Sequence, residues 1–146
     1  MAEVYRTLMS GKIHRATVTS ADLHYVGSIT IDSDLLEAAG IVEGEKVDVV
    51  SVTSGARLST YAIAGQPGSG GIQVNGAAAH LINKGEVVII IAYAQVPQSQ
   101  LEGWRGRVVL VDEQNRQIHV GDDPASVPAG LENATGGEGP LQSPLR

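Results

Sequence analysis

The sequence predicts a small, mainly β barrel with one or two short helices, and three observations lead to it. The apolar residues, 42% of 146, are mostly Val, Ile, Leu and Ala, with no Phe and one Trp. An aliphatic, β-branched core of this kind suits pleated strands. The 18 glycines imply many turns. The apolar runs are short and punctuated, and only one clear helical pattern interrupts them, as in small barrels. A chain of this length is expected to form one domain around one core.

The elements follow in order. K-I-H-R-A-T-V-T, residues 12–19, is rich in β-branched residues and reads as a strand, with Lys12 and His14 on one face. A-D-L-H-Y-V-G-S reads as a turn-like passage ending at Gly27, and Ser28 to Ile31 as a short strand. D-S-D-L-L-E-A-A-G is the helix: Asp32 or Ser33 caps it, Leu35, Leu36 and Ala39 form its apolar side, and Gly40 ends it. I-V-E-G-E-K is a turn. Val47 to Thr53 and Arg57 to Ala64 form a hairpin joined at Ser54-Gly55. G-Q-P-G-S-G-G is a loop, and Ile72 to Val74 a brief strand. N-G-A-A-A-H turns into a short helical piece. Val87 to Val96 should be a central strand stopped by Pro97. Arg107 to Asp112 is a last strand, with Ile118 to Val120 a weak addition.

The composition changes at Gly121. Four of six prolines and five of 18 glycines, Gly121 included, lie from there on, so residues 1–120 are expected to be the folded domain and 121–146 a disordered tail. That tail carries −3 of the formal charge of −6. An acidic surface argues against nucleic acid as partner. No cysteine is present, which excludes disulfides, thiol nucleophiles and thiolate metal sites. No signal peptide is recognised, and the longest apolar run, Val87 to Ala94, is too short to span a bilayer. A cytoplasmic location without membrane contact is the expectation. His24, His80 and His119 lack paired spacing and neighbouring acids, so no metal site is expected. G-S-G-G at 68–71 has no phosphate-loop context.

Gly27-Ser28 is a common dipeptide that usually marks a turn. Its chemical reading is specific. A serine hydroxyl can attack the preceding carbonyl and convert the amide to an ester; Gly removes hindrance and permits unusual backbone geometry. Elimination then leaves dehydroalanine, which hydrolyses to a pyruvoyl group and ammonia. Such a ketone would supply an electron sink that the sequence otherwise lacks.

The runs G-K-I-H-R-A-T-V-T, A-D-L-H-Y-V-G-S, A-R-L-S-T-Y-A-I and V-N-G-A-A-A-H occur in this order. Together they closely resemble the bacterial pyruvoyl-dependent aspartate 1-decarboxylases, over roughly Tyr5 to Asp112. The resemblance implies a double-psi β-barrel, a homotetramer, and conversion of L-aspartate to β-alanine and carbon dioxide for pantothenate and coenzyme A synthesis. Ser28 would become the pyruvoyl cofactor that forms a Schiff base with substrate, and Gly27 the end of the upstream chain. Tyr61 matches the proton donor. Thr60 matches a substrate-contacting residue linked to processing. Gly76, Ala77 and Ala78 match a substrate-binding loop, and Arg57 and Lys12 the cations that hold carboxylate. His14, Tyr25 and Asn75 match residues lining the site. Some relatives need a maturation partner.

Each residue also has an ordinary reading. Arg57 and Lys12 can be solvated charges, though a guanidinium fork suits a carboxylate. His14 can be structural, and Tyr61 a half-buried strand aromatic. N-G-A-A-A can be a turn with small-residue packing, although small side chains also let backbone N–H groups approach an anion. Thr60 and Tyr61 cannot share a face of a regular strand, so either a bulge or a division of labour is expected. The competing functions are an uncleaved, non-enzymatic β-barrel module and a pyruvoyl enzyme for another amino acid. The cationic pair favours a dicarboxylic substrate.

Overall fold

A computed structural model describes residues 2–123. The chain is mainly β, with nine strands in the order β2-β6-β3-β5-β4-β7-β1-β8-β9. They are β1 (Tyr5–Thr17), β2 (Ser20–Asp22), β3 (Ser28–Asp32), β4 (Lys46–Ser51), β5 (Arg57–Gly65), β6 (Ile72–Asn75), β7 (Val87–Pro97), β8 (Arg107–Val111) and β9 (Gln117–Gly121). The helix α1 spans Ser33–Ala39, and 3-10 turns cover Gly76–His80 and Gln98–Gln100.

The sheet curls because β1 and β2 are almost continuous. Only Val18 and Thr19 separate them, yet they stand seventh and first in the strand order. Thr19 N–H donates to the Ile72 carbonyl at 2.8 Å, handing the chain from the β1 side to the β6 side. The β2 edge is thereby drawn to β1, near the other end of the order, and the strands curl into a barrel-like wall. Ile13, Ile29, Val47, Ile72, Ile90 and Val109 are all at most 1% exposed and join one core cluster. The mainly β barrel expected from composition and patterning is the fold observed.

Alternation decides which face each residue takes. On β4 and β7, Val47, Val49, Val88, Ile90 and Ala92 point inward. The long strand β1 keeps Ile13 and Ala16 both inward through a bulge: the two residues between them oppose only one between Ile90 and Val88. Arg15, at φ 64, absorbs that bulge.

Asp32 caps α1, accepting from Asp34 N–H at 2.9 Å. Its carboxylate also accepts from the Gly68 and Gly70 N–H groups, pinning the 65–71 loop. Gly40 ends the helix at φ 69. The observed β1 starts seven residues before the expected strand, because its first part pairs with the far end of β7. Gly121 still belongs to β9; the remainder of the expected tail, 124–146, lies outside the described residues.

Candidate active site

The strands β6, β3 and β5 lie side by side and bring four of the singled-out residues into one row. Ser28 pairs with Asn75 across the antiparallel β3–β6 ladder. On the other side, parallel pairing sets Ile29 against Ala62, so one residue back Ser28 stands level with Tyr61. Ile29 and Val74 face the core, which turns Ser28 and Asn75 to the outer face. Gly76 follows directly.

Ser28 is only 1% exposed although it points outward. Its φ is 141, a region that L side chains rarely adopt. Holding a serine there costs on the order of 1–3 kcal/mol, which the surrounding ladders must offset. Asn75, fully buried, donates from Nδ2 to Ser28 Oγ at 2.9 Å and to Thr30 Oγ1 at 3.0 Å.

The tight backbone approach falls at Gly76. A Cβ added there would lie 2.9 Å from Gly27 Cα and 3.1 Å from the Tyr25 carbonyl, and its φ is 68. A Cβ added to Gly27 would meet nothing within 4 Å. The tight backbone approach beside the Gly27-Ser28 bond is thus made at Gly76. Tyr25 and Val26 are exposed, so the segment entering the row is wet, while Ser28 beyond it is dry.

Thr60 and Tyr61 divide between faces. The β4–β5 ladder runs without a bulge, with Val47 opposite Thr60 and Lys46 opposite Tyr61. Val47 is fully buried, so Thr60 turns inward and Tyr61, 41% exposed, turns outward. Arg57 shares that outer face but lies four residues earlier, about 13 Å along the strand. Lys12 and His14 sit on the outer face of β1, with β7, β4 and β5 between them and β3. Ala77 and Ala78 follow Gly76 in the 3-10 turn. One chain therefore joins Tyr25, Gly27, Ser28, Tyr61, Asn75 and Gly76, and holds Arg57, Lys12 and His14 apart from them.

The β1 face has its own electrostatics. Burial pushes the His14 pKa down to about 4, helped by the positive Lys12 and Arg15, so the imidazole is neutral at pH 7. Its Nδ1 is buried without a hydrogen-bond partner. Burial also lowers the Lys12 pKa. Clefts of about 650 Å³ beside Met9 and Trp104, and about 380 Å³ beside Asp32 and Asn115, contain none of the row residues.

A family model described as aspartate decarboxylase matches residues 4–118. The chain belongs to the aspartate decarboxylase family. The match takes in the whole row and both outlying cations. Among solved structures, the chain is similar to the computationally designed msDPBB_sym2 protein, at 12% identity and TM-score 0.38, over 60% of this chain and 99% of that one. In this aspartate decarboxylase family member, no helix among the described residues is long and apolar enough to cross a membrane.

Two residues at the site escaped the sequence reading. Thr30 and Gln73 both bond to Asn75, Gln73 Nε2 donating to Asn75 Oδ1 at 2.6 Å. The alternation in I-Q-V-N carried the signal, since it puts Gln73 and Asn75 on one face. The strand β2 was also missed, because three residues do not establish a period.

Proposed function

We propose that this chain is the precursor of a pyruvoyl-dependent aspartate 1-decarboxylase that cuts itself between Gly27 and Ser28. The observation that carries the reading is the buried, strained Ser28, with Gly76 pressed against the backbone just before it, in a chain of this family.

The chemistry begins with the chain's own atoms. Ser28 Oγ bonds to the Gly27 carbonyl carbon, the C–N bond breaks, and the hydroxyl proton ends on the Ser28 nitrogen. Loss of the Ser28 Cα proton then expels the Gly27 carboxylate and leaves dehydroalanine. Tautomerisation and hydrolysis release ammonia and leave a pyruvoyl ketone at position 28. The strain at φ 141 favours departure from the precursor geometry.

Formed at position 28, beside Asn75 and Tyr61, the ketone would supply an electron sink for loss of carbon dioxide from an amino-acid substrate. Tyr61, next to Ser28 on the outer face, offers a phenolic proton to the carbon that lost its carboxylate. Backbone N–H groups at Gly76, Ala77 and Ala78 orient the substrate. Arg57 and Lys12 select a dicarboxylic acid by holding its carboxylate. In one chain Lys12 stands four strands from Ser28 in the strand order and Arg57 about 13 Å along β5 from Tyr61, and the proposed homotetramer brings such cations to the row from neighbouring copies. Thr60, facing inward beside the row, supports the strand from beneath. The product is β-alanine, a pantothenate precursor, and the setting is the cytoplasm.

The test is release of β-alanine from L-aspartate by the wild type and by Ser28→Ala. Activity in the first and none in the second is expected. Equal turnover by both would remove Ser28 from the chemistry. A chain that stays whole and turns over nothing would return the reading to a non-enzymatic module.

A further inference from the structure

A relay of side chains runs behind Ser28, and its far members have no role in the account above. Parallel pairing of β2 with β6 sets Ser20 against Gln73, and antiparallel pairing of β3 with β6 sets Thr30 against Gln73 and Ser28 against Asn75. Ser20 Oγ donates to Gln73 Oε1 at 3.1 Å. Gln73 Nε2 donates to Asn75 Oδ1 at 2.6 Å, and Asn75 Nδ2 donates to Ser28 Oγ and Thr30 Oγ1.

The two ends of an asparagine amide have nearly the same shape and opposite hydrogen-bonding sense. Which end meets Ser28 decides what Asn75 does. With Oδ1 toward Ser28, the amide would hold the hydroxyl proton. With Nδ2 toward Ser28, it holds the oxygen, directs the proton elsewhere, and stabilises negative charge as that proton leaves. Gln73 selects the second arrangement, because its Nε2 donor engages Oδ1.

We infer that Gln73 is a positioning residue for self-cleavage, fixing the Asn75 amide so that it donates to the Ser28 nucleophile. The inference rests on the proposed bond exchange at Gly27-Ser28, in which Oγ gains the acyl group and the nitrogen gains the proton.

Gln73→Glu is nearly isosteric, but its carboxylate only accepts, so Asn75 must turn Nδ2 toward residue 73 and Oδ1 toward Ser28. Purified precursor is followed by intact mass over time, for wild type and variant, from pH 8 to pH 4, with thermal unfolding as a check on folding. At neutral pH the variant is expected to cleave about tenfold more slowly, the size of effect one hydrogen bond can have. Relative to wild type it should recover as the pH falls through the carboxyl range near ~4.3, where a protonated Glu can donate again. A merely structural role would give no such recovery. Should Gln73→Glu not fold, Gln73→Met removes the donor without charge and is expected to slow cleavage likewise. A variant that cleaves as fast as wild type, or faster, overturns the role of Gln73 and leaves self-cleavage intact. A wild type that never cleaves overturns both.

Discussion

Ser28 and His14 show how single residues in this chain depart from their ordinary states for different reasons. Ser28 is held in a rare backbone conformation by the ladders on both sides, and His14 is held neutral by burial beside two cations. The folded pKa of His14, about 4, lies below the unfolded value of 6.5. Its contribution to stability is therefore complete above pH 6.5 and is lost as the pH falls toward 4, by up to ~3 kcal/mol. Urea midpoints at pH 7.5 and 4.5 should diverge for wild type and much less for His14→Gln; equal divergence would mean that His14 does not titrate in this environment. Gly76→Ala meets both a 2.9 Å contact and a positive φ. It is expected to slow cleavage at least tenfold or to lower stability by about 1–3 kcal/mol, read from intact mass and chemical denaturation. Tyr61→Phe keeps the ring and removes the proton. Cleavage should be retained, while kcat falls on the order of a hundredfold. Ser28, Tyr61 and Gly76 were legible as candidates from the family-like runs. The contacts of Asn75 with Thr30 and Gln73 were not, because they depend on which strands pair.

Secondary elements were legible where local rules decide them. The cap at Asp32 and the stop at Gly40 follow from short-range hydrogen bonding and a left-handed backbone position. The apolar run from Val87 became the strand paired on both sides, by β1 and β4. The early part of β1 was not legible, since Y-R-T-L-M-S-G lacks clean alternation and is strand-like only because β7 continues beside it. Asn115 is a comparable case. It lies in the turn between β8 and β9, at φ 62 and 2% exposed. Its amide accepts from Thr17 N–H and donates to the carbonyls of Thr17 and Gly70, tying three segments together. Asn115→Ala removes all three bonds and leaves buried backbone groups unpaired. A loss of about 2–4 kcal/mol is expected from urea unfolding, and no smaller a loss for Asn115→Asp, whose carboxylate sets a buried acceptor against the two carbonyls.

Across the molecule, strand order sets which residues of the proposed site stand side by side in one chain. The short step from β1 to β2 joins β1 to the β2 edge of the strand order, while along the ladder β1 and β3 stand four strands apart. Ser28 and Tyr61 stand level on neighbouring strands, while Lys12 is four strands from Ser28 in that order and Arg57 four residues before Tyr61. Composition and alternation could foretell a β barrel. They could not foretell which outer faces adjoin, because that depends on long-range pairing and on other copies. Activity should therefore follow assembly: dilution that separates copies should abolish decarboxylation while leaving existing cleavage products intact, as read by light scattering beside β-alanine release. The central claim is narrower and lies in the covalent state of position 28. An intact-mass spectrum of the purified, incubated protein tests it most directly. Two chains, 1–27 and 28–146, are expected, the second lighter by one ammonia than a chain beginning with serine. A single uncleaved mass for all 146 residues, or a downstream chain that still begins with serine, would contradict it.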